Sequence, residues 1–242
     1  MIRVAAVGDL HVGVDSVGRL RPRLAELAAD ADVFLLAGDL THRGLPEEAK
    51  VLAGELHGDG VPTVAVLGNH DYHSDQQDAV TEVLQEAGVI VLEGDGVVVR
   101  VGDRRVGIAG TKGFGGGFAG ACASDFGEPE MKGFVGHTKR LAGRLERALT
   151  ALRADRRIAL LHYSPVEETL SGEPREIYPF LGSYLLAEAV DRGGADLVVH
   201  GHAHRGSPSG ATPGGVTVRN VAAPVIGCAY QVFHFDPDGA SA

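Results

Sequence analysis

Five times along its first two hundred residues the chain repeats one arrangement: a short apolar run that ends directly in glycine or in Asp, Asn or His. The runs are Ile2–Val7, Val33–Ala37, 63–67, 158–161 and 197–199, apolar throughout, as strands covered on both faces must be. Between them, residues 20–29, Pro46–Leu56, 76–87, 135–153 and 183–192 carry apolar side chains at helical spacing. Strand alternating with helix means an α/β fold with a largely parallel main sheet.

Two stretches break the alternation. Residues 97–101 and 106–109 flank the turn Gly102-Asp103-Arg104-Arg105 and read as a hairpin, and 216–221 with 230–235 read as another strand pair. They imply a second, more antiparallel sheet packed on the first. The expected architecture is a two-sheet β-sandwich flanked by helices in four layers, forming one domain over residues 1–242. Residues 111–136 show no sustained period and begin glycine-dense around Phe114 and Phe118, which look exposed. A loop of that length either shapes a substrate pocket or bulges into solvent.

Composition narrows the partners. With 22 basic and 32 acidic residues the net charge is −10, which argues against extended nucleic acid or an anionic membrane held by bulk electrostatics. A small substrate is the expectation. Cys122 and Cys228 lie in no CxxC pair and read as buried or idle thiols, and the apolar N-terminal run is too short for a signal core or a bilayer span. A reducing, cytoplasmic setting is expected. Glycine is abundant, 35 residues, and falls mainly after apolar runs, where turns belong.

The strand ends carry the chemistry. Asp9-Leu10-His11 follows the first run, Gly38-Asp39 the second, Gly68-Asn69-His70-Asp71 the third, His162 the fourth and Gly201-His202-Ala203-His204 the fifth. In open α/β sheets function collects beyond the carboxyl ends of strands, so these residues should meet at one rim. Asp9 and His11, two apart, would face the same side in extended geometry. Two Asp, one Asn and four His form a mixed oxygen and imidazole set suited to transition metals, and seven ligands are too many for one ion. A pair of ions sharing a carboxylate is the economical solution.

With these five motifs in this order, the sequence resembles the calcineurin-like metallophosphoesterase superfamily, over a stretch from the first strand to about residue 206. The resemblance implies that Asp9, His11, Asp39 and His204 bind one metal, and that Asp39, Asn69, His162 and His202 bind the other. Two divalent or trivalent ions, such as Mn, Fe or Zn, are the implied cofactors. It further implies that His70 faces the substrate and assists the leaving group, while a hydroxide bridging the metals attacks phosphorus in line. Relatives of this size resemble phosphodiesterases acting on small esters. The alternatives are a phosphomonoesterase, a nuclease subunit or a non-catalytic metal-binding scaffold.

One position departs from the family pattern. Many members carry an Asp three residues after the bridging Asp, where it orients the catalytic His, and here that position is His42. Asp71 could substitute for it, or could point away to cap or support the ligand loops. On the substrate side the candidates are Arg43, His42 and Tyr163, with Tyr72, His73 and Arg205 close enough in sequence to join them. His57, His137 and His234 read as solvated or structural, and His200 as a residue pointing away from the site or supporting its neighbour.

Overall fold

A computed structural model describes residues 1–56 and 60–235, so His57 lies outside the described residues. In chain order the strands are β1 (Ile2–Val7), β2 (Val33–Ala37), β3 (Thr63–Val66), β4 (Ile90–Val91), β5 (Asp95–Val101), β6 (Arg104–Thr111), β7 (Gly117–Phe118), β8 (Ala121–Cys122), β9 (Arg156–Leu161), β10 (Leu197–His200), β11 (Ser209–Ala211), β12 (Thr217–Asn220) and β13 (Gln231–Phe235). The helices are α1 (Leu27–Asp30), α2 (Pro46–Leu56), α3 (Gln77–Glu86), α4 (Pro129–Ala151), α5 (Tyr178–Leu181), α6 (Tyr184–Gly193) and α7 (Ala223–Ile226).

One sheet has the order β13-β1-β2-β3-β4, the other β11-β12-β10-β9-β6-β5. In the first, β1 to β4 run parallel and β13 joins antiparallel. The second is parallel through β6, β9, β10 and β12, with antiparallel strands only at its edges. It is more antiparallel than the first, but less than the hairpin alone suggested.

The layers follow from side-chain alternation. Val4 and Ala6 of β1 point between the sheets, where Leu35, Val64, Ile108, Ile158 and Val199 meet them. Ala5 and Val7 point the other way, onto a core shared with Leu52 of α2 and Leu84 of α3. On the far face of the second sheet, Leu161 and Val198 pack with Leu145 of α4 and Leu186 of α6. Each fully buried leucine contributes roughly 1.5–3 kcal/mol, which is why continuous apolar strands are found here. Among the described residues no helix is long and apolar enough to cross a membrane.

Several expectations change. The two C-terminal strands do not pair with each other: Val218 of β12 lies opposite Val198 of β10, whereas Phe233 of β13 lies opposite Val4 of β1. The intervening chain crosses between the sheets at the end of β1, where Gly8 donates to Val221 O at 2.9 Å and Ala223 donates to Gly8 O at 3.0 Å. The helix expected over 20–29 is broken into a 3-10 turn, Arg21–Leu24, and the short α1. There the Glu55 carboxylate takes the backbone N–H groups of Gly18, Leu20 and Arg21.

Helix α4 begins at Pro129, six residues before the apolar period starts, because proline suits a first helical turn. The expected long loop is therefore shorter. Phe118 within it is buried and Phe114 half-buried, so its aromatic residues are not exposed as they looked. Cys122 and Cys228 are exposed free thiols rather than buried ones.

Candidate metal centre

The carboxyl ends of β1, β2, β3, β9 and β10 deliver their following residues to one rim across both sheets. Asp9, His11, Asp39 and His204 form one donor group with ligand atoms within 4.8 Å of one another, and Asp39, His162 and His202 form a second. Asp39 is common to both. Asn69 joins the second, its Oδ1 lying 2.9 Å from His162 Nε2.

The backbone makes this convergence, and not by the extended geometry that the spacing of Asp9 and His11 suggested. Asp9, His11, Asp39 and His202 have φ of 59°, 45°, 49° and 70°. Left-handed backbone at such residues costs of order 1–3 kcal/mol each and persists only where surroundings enforce it. Two glycines show the enforcement. A Cβ on Gly68 would fall on Oδ1 and N of Asp39, and one on Gly201 would fall on Oδ2 of Asp9. Only glycine lets these loops press against the two carboxylates.

The donors suit a cation. His162 donates from Nδ1 to Ala37 O at 2.9 Å, which leaves the Nε2 lone pair facing Asp39 and Asn69. His202 Nε2 contacts Phe180 O at 3.3 Å, so its lone pair is on Nδ1. Both ring nitrogens of His11 are buried without a hydrogen-bond partner among the described residues, an arrangement that is costly unless something accepts a lone pair. Burial pushes His11 down to about 4, His202 down to about 3 and His162 well below the usual imidazole range, so all three are neutral donors near pH 7. Burial raises Asp9 to about 6, opposed by the His204 imidazole that donates to it at 2.8 Å. The same contact raises the His204 imidazole. The residues present fit a pair of transition-metal ions, with two carboxylates, one amide oxygen and four imidazoles.

His70 stands beside this centre, its ring 4.4 Å from that of His11. Its backbone N–H donates to Asp39 Oδ1 at 2.8 Å. Its Nδ1 lies 2.8 Å from the carbonyl oxygen of His42, and a carbonyl only accepts, so Nδ1 carries the proton and Nε2 is free to exchange one. The orienting group at position 42 is thus the main chain, not the side chain. Glu48 accepts the Arg43 N–H at 2.7 Å and Ser74 Oγ donates to Arg43 O at 2.7 Å, fixing the strap that presents this carbonyl.

Asp71 does not pair with His70. It is fully buried and accepts from the N–H groups of Leu40, Thr41 and Gly68 and from the Thr41 hydroxyl, tying the Asp39 loop to the Asn69 loop. His200 is also buried, its Nδ1 2.8 Å from Gly201 O and its Nε2 2.9 Å from Thr169 Oγ1, which supports the turn before His202.

Of the substrate-side candidates, the His42 ring is exposed and groups with His11 and His70. Arg43 is exposed near the rim. Tyr163 is buried with its ring 4.3 Å from that of His202, and burial raises its hydroxyl to about 12, so it stays a proton-bearing donor. Tyr72 and Tyr163 line a cavity of about 600 Å³ together with Asn69, whereas His73 and Arg205 are exposed and do not line it. The same cavity is lined by His137, expected from sequence to be solvated or structural, by Phe114 of the glycine-dense loop, and by Lys112 and Glu93, which carry no sequence signal of a site. His234 is exposed on β13, as a solvated residue should be.

The sequence profile of the calcineurin-like phosphoesterases matches residues 2–206. A Synechococcus protein named a probable cyclic nucleotide phosphodiesterase is 33% identical over 92 residues, a match covering 34% of this chain and 34% of that protein. The match spans about a third of the relative's length. Among solved structures, a phosphopantetheinyl hydrolase from Mycobacterium tuberculosis superimposes with a TM-score of 0.69 at 16% identity, covering 99% of this chain and 98% of the other. A sulfate thiohydrolase from Thermus thermophilus gives 0.51 at 17% identity, covering 92% of this chain and 40% of that one. At such identities the likeness is one of fold.

Proposed function

The chain belongs to the calcineurin-like phosphoesterase family, and on that premise we propose that it is a two-metal phosphodiesterase acting on a small phosphate ester. The observation that carries this reading is Asp39, a buried carboxylate common to two donor groups with the His70 ring beside it. Asp9, His11, Asp39 and His204 would hold one ion, and Asp39, Asn69, His162 and His202 the other. When bound, such a pair neutralises phosphate oxygens and lowers the pKa of water.

What remains falls to the protein. His70, fixed at Nδ1 by the His42 carbonyl, holds a proton at Nε2 and passes it to the departing ester oxygen. Arg43, on a strap pinned by Glu48 and Ser74, supplies a planar guanidinium suited to a phosphate oxygen. The Tyr163 hydroxyl, uncharged across the neutral range, adds a donor on the His202 side. The chain works as a single domain, since both sheets share one interior.

The preference for a diester is supported by the name of the Synechococcus relative over the shared third of its length, and the preference for a small substrate by the acidic composition, which disfavours long nucleic acid. Purified protein loaded with Mn²⁺ should hydrolyse bis-p-nitrophenyl phosphate with a higher kcat/KM than p-nitrophenyl phosphate, and elemental analysis should find two metals per chain. A reversed preference would make it a monoesterase. Two metals with no turnover of either ester would leave a scaffold.

A further inference from the structure

The cavity that Asn69 helps to line joins aromatic rings to two cations. Its volume is about 600 Å³, within the range of small-molecule sites, and its walls come from α4, the 3-10 turn after Asn69 and the chain following β6. Lys112 is only 7% exposed. Its ammonium lies 5.0 Å from the ring centroid of Tyr72, 4.9 Å from that of Phe114 and 5.2 Å from that of Tyr163. Three ring faces around one cation are a desolvated, stabilising arrangement. Among the described residues the ammonium's hydrogen-bond acceptor is Gly113 O at 3.3 Å, so donor capacity is left over.

The rest of the wall is equally particular. Phe114 is flanked by Phe134 at 5.0 Å and His137 at 4.9 Å, extending the aromatic surface. Arg144 of α4 adds a second cation, and Glu93 is held in place by Thr111 Oγ1 and the Lys112 N–H. Such a site offers flat apolar faces with donors aimed between them. A plain alkyl substituent would leave the lysine's donors unmet, and a second phosphate would be pressed against ring faces that repel anions. A planar heteroaromatic group with ring nitrogens or carbonyl oxygens satisfies both.

We infer that this cavity is the specificity pocket of the enzyme, receiving a nucleobase-sized heteroaromatic substituent of the ester, with Lys112 and Phe114 as the residues that select it. The inference rests on the phosphodiesterase reading for the ester's identity, but the pocket binds by its own chemistry. Because Asn69 is both a proposed metal ligand and part of the cavity wall, the cavity adjoins the metal centre.

Two substrates with one leaving group test the pocket: thymidine 5′-(p-nitrophenyl phosphate) and methyl p-nitrophenyl phosphate. In the metal-loaded protein the thymidyl ester should be favoured at least tenfold in kcat/KM, chiefly through KM. Lys112→Met and Phe114→Ala should each cut that ratio fivefold or more with bound metal retained. A wild-type ratio near one, or a ratio that both variants leave intact, overturns the pocket. If neither ester is hydrolysed the phosphodiesterase reading fails, and calorimetric binding of thymidine then decides the pocket alone: binding weakened at least fivefold in Phe114→Ala sustains it, and no binding to the unmutated protein overturns it. Melting temperatures accompany every variant, with Phe114→Leu replacing any Phe114→Ala protein that fails to fold.

Discussion

Around Asp39 the backbone itself sets the geometry, with four of the proposed ligands in left-handed conformations and glycines pressed against two carboxylates. In the cavity beside Asn69 the geometry belongs to side chains: Lys112 and Phe114 reach in from the chain following β6, Phe134 and Arg144 from α4. The first arrangement tolerates almost no substitution, because each strained loop holds its neighbour. The second can be altered one side chain at a time. A fold divided in this way keeps its hydrolytic chemistry fixed while the partner of that chemistry is free to change.

The sharpest way to break this division is at Asp39. Asp39→Ala should abolish turnover and reduce bound metal toward one ion or none, and a protein that still held two by elemental analysis would show that Asp39 is not shared. His70→Ala should instead keep its metal and lose kcat by roughly 10²–10⁴-fold, the usual scale for general acid catalysis. An unchanged rate would move His70 to the structural side. Asp71→Ala tests whether the backbone truly sets the centre: it strands three N–H groups and a hydroxyl, each lost bond costing about 1–3 kcal/mol. Its denaturation midpoint should fall well below that of any substitution in the cavity wall, and a shift no larger than that of Lys112→Met would count against the contrast.

The smallest effect is one of pH. Burial holds His200 down to about 4, so the folded protein favours its neutral ring, while the unfolded chain takes up the proton near 6.5. Its contribution to stability is therefore complete above about 6.5 and is lost as the pH falls from there toward about 4. Thermal melting between pH 7.5 and 4.5 should show a shallower decline for His200→Gln than for the unmutated chain. Identical slopes would mean that His200 is not the group being titrated.

Much of the centre was legible because its signal is local. A strand, a glycine and a donor within three residues write Gly38-Asp39 and Gly68-Asn69 directly into the chain, and four such units, with His162 directly after its strand, share one rim by the rule of parallel sheets. The orienting partner of His70 was not legible, since it is a main-chain carbonyl and every residue has one. Lys112 escaped for another reason: nothing in the sequence near it announces Tyr72, Phe114 and Tyr163 as its neighbours. Strands β12 and β13 were recognisable by alternation, but alternation names a face and not a partner, so their assignment to opposite sheets had to come from tertiary packing.

The contact between His204 and Asp9 joins residues near the two ends of the matched region. During synthesis Asp9 emerges long before His204, the last of the proposed ligands, so the centre cannot close until residue 204 has been made. Until then β1 also lacks β13, the strand that covers its outer edge. Between those two points the nascent chain carries half-assembled donor sets on an open sheet, and closing so long a loop is slow. A chain ending before residue 200 would lack His202 and His204, one proposed ligand of each ion.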